Sequence, residues 1–351
     1  MAIADDSRFR RALLGAALAC LAAGPALAQN APTGTLSKAT FTAYSPLSGN
    51  AEFARRLLSP LDYAQLLAKL PHGVQLGGQP VDLAQESFAL YVPPRARANG
   101  YGLIVFVPPW DVARLPDGWG PVLDQYGFLF VSASRSGNDQ NVLARREPLA
   151  LLAEANVAAR YRLDPARVYI AGFSGGSRVA LKLALRYPDV FRGVILNAGS
   201  DPIGTAATPL PPRDLFARFQ ESTHIVYVTG DQDTAAIAED VSSRHSLRDW
   251  CVFQVDERSA MGGGHDAMGG AALSQALDLL AVPVRSDAAR LAACRAGIDA
   301  QLNAQFAKAQ ALTANGNRVD ALQLVKEIDG RFGGLAAPRS VALSTRLAGS
   351  N

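Results

Sequence analysis

The sequence predicts an α/β protein: a mostly parallel central sheet with helices on both faces, plus a small C-terminal helical appendage. Between residues 101 and 255, continuous apolar segments alternate with helical patterns, as expected when parallel strands are covered on both faces. The chain has 351 residues, of which 49% are hydrophobic, enough to bury one large core. Residues 288–329 read as alanine-rich amphipathic helices broken at 315–317.

The elements follow in order along the chain. Hydrophobic runs bounded by turn residues predict strands at 74–76, 86–92, 103–107, 128–132, 168–173, 193–197, 225–229 and 251–255. The first two of these are expected to be antiparallel. Helical spacing predicts helices at 51–70 (interrupted at Pro60 and covering a sheet edge or cleft rim), 120–126, 148–161, 179–186, 267–280, 288–313 and 318–329.

The N-terminus has the pattern of a bacterial secretory signal peptide. Residues 8–11 include three arginines, residues 12–23 are apolar, and 26–28 read Ala-Leu-Ala, which fits a cleavage site after Ala28. We therefore expect an exported protein, periplasmic or secreted. The predicted domain plan is a signal peptide at 1–28, a linker at 29–48, an α/β domain with an N-terminal helical and strand extension at 49–283, and a helical hairpin and tail at 284–351.

Composition excludes several classes of partner. The formal net charge is only +3, without a basic run or interleaved aromatic patch, so no nucleic-acid binding is expected. Beyond the N-terminus no segment is long and apolar enough for a membrane span. Histidine pairs and cysteine clusters with ligand spacing are missing from the sequence, so neither a metal nor an organic cofactor is predicted.

Two cysteines remain after removal of the predicted signal peptide, Cys251 and Cys294. An even count in an exported chain favours a disulfide between them. The alternative is a pair of buried free thiols.

A glycine-serine motif gives the first candidate for chemistry. Residues 172–176 read Gly-Phe-Ser-Gly-Gly, a G-x-S-x-G pattern between an apolar strand and an amphipathic helix. In a nucleophile elbow the serine occupies a strained strand-to-helix turn, with its hydroxyl above the sheet edge. Ser174 is therefore the candidate nucleophile, and an ordinary glycine-serine turn is the alternative.

The base that would activate this serine is assigned by elimination among four histidines. His224 lies at the start of a strand, which puts it at the wrong end of a parallel sheet. His72 precedes the first predicted strand, and His245 lies in a polar helical segment. His265 follows the last predicted strand in a glycine-rich loop that can place its imidazole over the elbow. It is the candidate general base.

The acid that orients the base should follow the preceding strand. Asp231 and Asp233 both lie directly after the strand predicted at 225–229, and either could reach the imidazole. One of the two is expected to cap the next helix, and Asp231 is assigned that capping or loop-stabilising role.

Residues 86–280 resemble the α/β-hydrolases, and within them the secreted esterases related to polyhydroxybutyrate depolymerases and feruloyl esterases. The resemblance is carried by Leu-Asp-Pro-Ala-Arg-Val-Tyr at 163–169, the motif at 172–176, Gly-Asp-Gln-Asp at 230–233 and Gly-His at 264–265. It implies the α/β-hydrolase fold, a Ser-Asp-His order along the chain and an acid three residues after the turn glycine. That spacing favours Asp233.

The resemblance also implies an oxyanion hole, and here the sequence departs from the family. One donor should be the N–H after the nucleophile, that of Gly175. The other should come from the loop after the strand at 103–107, which commonly begins His-Gly and here reads Pro108-Pro109-Trp110. Because proline has no N–H, the Trp110 N–H is the second predicted donor.

Two side chains are candidates for substrate binding. Trp110 could contact substrate with its ring or serve only in packing. Arg135 lies in a polar loop that follows the strand at 128–132, where its guanidinium could hold a carboxylate or carbonyl. The alternative for Arg135 is a solvated turn.

These observations predict an exported serine hydrolase that cleaves a small or polymeric carboxylic ester through an acyl-enzyme. Two alternatives remain open at this stage. One is a peptidase or amidase that uses the same triad. The other is a degenerate hydrolase acting as an exported binding protein, with the C-terminal helices as its contact surface.

Overall fold

A computed structural model of the protein describes residues 33–284 and 287–349; the predicted signal peptide lies outside them. Over the described residues one sheet is formed with the strand order β1-β2-β4-β3-β5-β6-β7-β8. The strands are β1 (Gly34–Ala39), β2 (Phe88–Val92), β3 (Tyr101–Val107), β4 (Phe128–Ala133), β5 (Leu163–Phe173), β6 (Gly193–Asn197), β7 (His224–Gly230) and β8 (Val255–Ala260).

The sheet is antiparallel only at one side. β2 pairs antiparallel with both β1 and β4, and every pairing from β4–β3 through to β7–β8 is parallel. The carboxyl ends of β3 to β8 therefore meet along one edge, where ligand sites form in open α/β sheets. The predicted mostly parallel sheet is confirmed.

Helices cover both faces of the sheet. Alternate residues of β3 to β7 pack with α3 and α8 in one apolar cluster, and α4 and α5 contact the sheet on the other face. The helices are α1 (Asn50–Leu57), α2 (Pro60–Ala68), α3 (Trp119–Tyr126), α4 (Glu147–Arg160), α5 (Gly175–Arg186), α6 (Arg213–Ser222), α7 (Thr234–Asp249), α8 (Gly270–Leu280), α9 (Ala288–Ala314), α10 (Arg318–Phe332) and α11 (Arg339–Gly349).

The start of the sheet differs from the sequence prediction. Residues 74–76 form no strand, and Val74 is 52% exposed in a segment flanked by turn glycines. The edge position belongs to β1, which lies inside the predicted linker at 29–48. Its sequence, GTLSKA, has no apolar run, because an edge strand with exposed side chains needs none.

The last strand also differs from its prediction. The apolar run at 251–255 was expected to be a strand, but β8 begins at Val255 and carries the polar sequence VDERSA. Cys251 and Val252 are fully buried before it, and Cys251 has a φ of 62°. Burial beneath neighbouring helices, rather than strand pairing, accounts for the apolar character of this run.

The two N-terminal helices pack on other helices, and residues of both line a cleft, as one of the two sequence expectations has it. Arg56 of α1 binds Asp189, with 2.7 Å between Nη1 and Oδ1, and donates to the Arg186 carbonyl at the end of α5. In α2, the N–H of Leu61 donates to Asp329 of α10 at 3.1 Å.

The C-terminal helices pack closely on the α/β domain, and residues 32–351 form one compact unit. A Cβ on Gly333 would lie 2.4 Å from the Leu210 carbonyl oxygen, so the backbones are in direct contact. The Phe332 ring meets Trp250 edge-on at 5.7 Å. Beyond the predicted helix pair, α11 extends the same layer. The helical tail is thus integrated into the core of the protein.

The predicted disulfide is present between Cys251 and Cys294, which are 43 residues apart in sequence. It joins the segment before β8 to α9, and the loop it closes contains His265.

Replacing both cysteines by serine is expected to lower the free energy of unfolding by about 4 kcal/mol, the value for closing a loop of this length in the unfolded chain. Urea denaturation of the oxidised protein and of the double variant measures this. The oxidised and reduced wild type should differ by a similar amount, whereas equal midpoints for all forms would contradict a stabilising bridge.

No helix within the described residues is both long enough and apolar enough to cross a membrane.

Candidate active site

The elbow between β5 and α5 has the strained backbone that its sequence predicts. Ser174 has φ 54° and ψ −121°, a conformation that costs a residue with a side chain about 1–3 kcal/mol. Neighbouring backbone holds it there: the Ser174 N–H donates to the Asn197 carbonyl at 2.8 Å, and the Ser174 carbonyl accepts from Ser177 N–H at 2.9 Å. The hydroxyl is thereby fixed above the carboxyl end of the sheet.

The glycines of the motif are required by close backbone approaches. A Cβ on Gly172 would lie 2.1 Å from the Gly176 carbonyl oxygen, and one on Gly176 would lie 1.9 Å from the carbonyl oxygen of Val107. The elbow is therefore pressed against the end of β3. Any larger residue would move either the serine or the loop that follows β3.

Three side chains from three strand ends form a hydrogen-bonded chain. The His265 Nε2 lies 2.9 Å from Ser174 Oγ, and its Nδ1 lies 2.5 Å from Asp233 Oδ2. The Asp233 side chain is 8% exposed and that of His265 is 52% exposed. A buried carboxylate thus fixes an accessible imidazole beside a hydroxyl, the arrangement that allows proton transfer from serine to histidine.

The loop that carries His265 is anchored by two residues which sequence reasoning did not single out for that purpose. Buried Asn197, at the end of β6, accepts from Met268 N–H at 2.8 Å and donates to the Val228 carbonyl at 2.9 Å. The Trp119 indole donates to the Met268 carbonyl at 2.8 Å. The sequence signal that could have identified Asn197 is a polar residue at the end of a buried strand. Trp119 itself is buried in the core.

The roles of the two aspartates differ from the prediction in one respect. Asp233 is the residue that caps α7, because its Oδ1 accepts from Ala236 N–H at 3.2 Å while Oδ2 faces His265. Asp231 was assigned either a capping or a loop-stabilising role, and the structure shows the second: its Oδ1 accepts from Gly262 N–H at 2.9 Å, which stabilises the histidine loop. One carboxylate thus serves both the helix and the imidazole.

The loop after β3 is held by a buried arginine. Arg146 donates from Nε to the Ser136 carbonyl and from Nη2 to the Pro108 carbonyl, each at 2.9 Å. Burial lowers the pKa of Arg146 to about 10, against the opposing effect of the Asp111 and Glu147 charges. It stays charged at neutral pH and ties together the loops that follow β3 and β4.

Trp110 lies beside the elbow. Its ring centroid is 6.1 Å from that of Phe173 and the same distance from that of Phe106, and the Arg114 guanidinium covers the ring at 4.1 Å. The indole is partly buried, and its Nε1 is buried without a hydrogen-bond partner among the described residues. Trp110 therefore packs next to the site, and its predicted roles in oxyanion and substrate binding stay predictions.

Arg135 is engaged in an ion pair. Its Nη2 lies 2.9 Å from Oε1 of buried Glu86, which also pairs with Arg145, and it also donates to the Gln85 carbonyl. The guanidinium remains half exposed, at 52%. The structure thus gives Arg135 a role in fixing the start of β2, and its contact with substrate remains a prediction.

Comparison with known proteins was made on sequence and on structure. Residues 147–233 match the family described as Esterase PHB depolymerase, a stretch that includes Ser174 and Asp233. A poly(3-hydroxybutyrate) depolymerase from Ralstonia pickettii is 30% identical over 103 residues, which cover 25% of this chain and 21% of that protein. Over these residues the chain is similar to the PHB depolymerase esterases. The predicted resemblance and fold are confirmed.

The chain spans about a fifth of the length of that curated relative. Among solved structures, the chain is similar to an S-formylglutathione hydrolase from Staphylococcus aureus, with a TM-score of 0.43 and 13% identity over 55% of this chain and 89% of that one. An acetyl xylan esterase from Aspergillus awamori gives a TM-score of 0.42 and 14% identity over 56% of this chain and 94% of that one.

Proposed function

We propose that this protein is an exported serine hydrolase that cleaves carboxylic esters through an acyl-enzyme. The observation that carries the proposal is the hydrogen-bonded chain from Ser174 through His265 to Asp233 at the carboxyl edge of the sheet. The match to an esterase family over residues 147–233 supports the choice of ester chemistry.

Acylation begins when Ser174 Oγ attacks the ester carbonyl and His265 Nε2 takes the hydroxyl proton. The tetrahedral intermediate collapses, and His265 returns that proton to the departing alcohol. Water then attacks the acyl-enzyme with the same histidine as base, which releases the acid and restores the serine. Asp233 fixes the Nδ1–H tautomer and stabilises the imidazolium formed in both steps.

The negative charge on the tetrahedral oxygen needs preorganised donors. In this proposal the Gly175 N–H at the start of α5 supplies one and the Trp110 N–H supplies another. The N-terminus of α5 adds a favourable partial positive charge at the same place. Trp110 and Arg135 are proposed to contact the acyl or alcohol portion of the substrate.

The relative named as a poly(3-hydroxybutyrate) depolymerase makes a polymeric or oligomeric hydroxyalkanoate ester the first substrate to examine. Small aryl esters test the same chemistry without the polymer. Because a peptidase would use the same acyl-enzyme, matched ester and amide substrates with one acyl group separate the two activities.

The test combines labelling with turnover. The purified protein should form a covalent adduct with a fluorophosphonate, and peptide mass spectrometry should place it on Ser174. Hydrolysis of the ester should exceed that of the matched amide by several orders of magnitude. A preferred amide would favour a peptidase, and a failure to label together with no turnover would favour the degenerate binding protein.

Export is proposed from the first 28 residues, with support from the disulfide between Cys251 and Cys294, since such bridges persist in oxidising compartments. Expression in a bacterial host followed by intact mass measurement of the secreted or periplasmic protein tests the cleavage after Ala28. Recovery of the full-length chain from the cytoplasm alone would contradict it.

A further inference from the structure

We propose that the side-chain amide of Asn138 donates a hydrogen bond to the oxyanion, and so replaces a donor that the proline-rich loop after β3 has lost. The inference rests on the proposed function and adds a residue to it. Asn138 lies in the loop after β4. The resemblance to the esterase family assigns no oxyanion role to this loop.

The loop after β3 offers few backbone N–H groups that could donate to the oxyanion. The loop after β3 passes directly over the elbow, since the Val107 carbonyl leaves no room for a Cβ on Gly176. The next two residues are Pro108 and Pro109, which have no N–H to offer. A loop of ordinary sequence could present N–H groups at these positions.

Asn138 lies beside the first of the two proposed backbone donors. A Cβ on Gly175 would lie 2.1 Å from Asn138 Oδ1 and 3.1 Å from Nδ2. The carboxamide therefore packs directly over the α-carbon of Gly175, whose N–H is the first proposed oxyanion donor. The space beside this α-carbon is taken to include the position that the oxyanion occupies.

The backbone of the loop that carries Asn138 is fixed before a substrate arrives. The Asn138 N–H donates to the Pro109 carbonyl at 3.0 Å, and the Gly137 N–H donates to Asp111 Oδ1 at 2.9 Å. Arg146 binds the carbonyls of both loops. The fixed backbone places the Asn138 side chain beside the elbow, so that only rotation of its amide is needed to present the N–H.

In the structure the Asn138 oxygen is the amide atom nearer to Gly175, and the proposed role requires the amide to be turned over. Rotation by 180° about the Cβ–Cγ bond exchanges oxygen and nitrogen with little change in shape, and the exposed side chain has room to make it. With the nitrogen turned to the elbow, a neutral N–H donor faces the position of the oxyanion. Asparagine side chains serve this function in other serine hydrolases.

The test compares Asn138→Ala and Asn138→Asp with Asp139→Ala, a control at the next exposed loop position. Loss of one oxyanion donor costs about 10²–10³-fold in kcat, and we expect this from Asn138→Ala, with KM for an aryl ester changed less than about threefold. Asn138→Asp keeps the shape but places a carboxylate beside the oxyanion, so its loss should be at least as large. Asp139→Ala should keep kcat within about threefold of the wild type.

A reversible boronic acid provides a second readout, because its adduct with serine is tetrahedral. Its affinity should fall by about the same factor as kcat/KM in both Asn138 variants, while the thermal midpoint stays within about 2 °C of the wild type. A kcat that is retained in both variants would overturn the inference. A fall in kcat that accompanies a lower thermal midpoint, with boronate affinity unchanged, would assign Asn138 a structural role only.

These experiments distinguish a failure of the Asn138 inference from a failure of the proposed function. If the wild-type protein shows Ser174-dependent ester hydrolysis and the Asn138 variants match it, only the oxyanion inference is lost. If the wild type neither hydrolyses esters nor binds the boronic acid, the proposed function is lost with it.

Discussion

Ser174→Ala is expected to lower kcat for an aryl ester by about 10⁶-fold, to the rate supported by binding and the oxyanion hole alone. The alanine keeps the Cβ and therefore the strained elbow, while it removes the oxygen that lies 2.9 Å from His265. Without that oxygen no acyl-enzyme forms. Single-turnover kinetics with an ester that releases a coloured alcohol measures the loss, and fluorophosphonate labelling should vanish with it.

The chain offers a matched control one turn into the same helix. The Ser177 hydroxyl is buried and has no hydrogen-bond partner among the described residues, so Ser177→Ala should leave both kcat and stability nearly unchanged. Undiminished turnover by Ser174→Ala would show that the esterase activity belongs to another nucleophile.

Asp233→Asn is expected to lower kcat by about 10⁴-fold. The amide can donate to His265 Nδ1, which stabilises the tautomer with its proton on Nε2 and leaves that nitrogen unable to accept from Ser174. Asparagine is as good an N-cap as aspartate, so the bond to Ala236 N–H survives. The free energy of unfolding should therefore stay within about 0.5 kcal/mol of the wild type, as measured by urea denaturation.

Asp231→Asn is the matched control, since its oxygen can still accept from Gly262 N–H. Its kcat should remain within about fivefold of the wild-type value, because the Asp231 carboxylate is bound to the loop backbone instead of the imidazole. A larger loss from Asp231→Asn than from Asp233→Asn would reverse the roles of the two carboxylates.

The prediction from sequence succeeded where hydrophobicity and backbone chemistry dictate the structure. The buried strands β3 to β7 are apolar because helices cover both faces, so their runs were visible in the sequence. The two outer strands were missed because their side chains stay exposed: GTLSKA in β1 and VDERSA in β8 have no apolar run. An edge strand forms its hydrogen bonds with a strand that is distant in sequence. A local sequence pattern does not identify that partner strand.

In the candidate site, too, some residues could be predicted from the sequence and others could not. Ser174 and His265 could be selected from a motif and by elimination, yet the choice of Asp233 over Asp231 depended on a resemblance. The 2.5 Å contact between Asp233 and His265 supports that choice. Asn197 is the last residue of β6, and Asn138 lies in the loop after β4. In the sequence, neither Asn197, which anchors the histidine loop, nor Asn138, which lies beside Gly175, can be distinguished from an ordinary polar turn residue. Their positions depend on contacts between loops that only the folded sheet brings together.

The backbone at Ser174 has a consequence for how such a protein can be improved. Glycine adopts φ 54° and ψ −121° at little cost, whereas serine pays about 1–3 kcal/mol there. Selection of a variant library for thermal stability alone would therefore enrich glycine at position 174. The selected protein would be more stable but inactive. Directed evolution of this chain needs turnover in every round, because its most reactive position is one where stability and activity favour different residues.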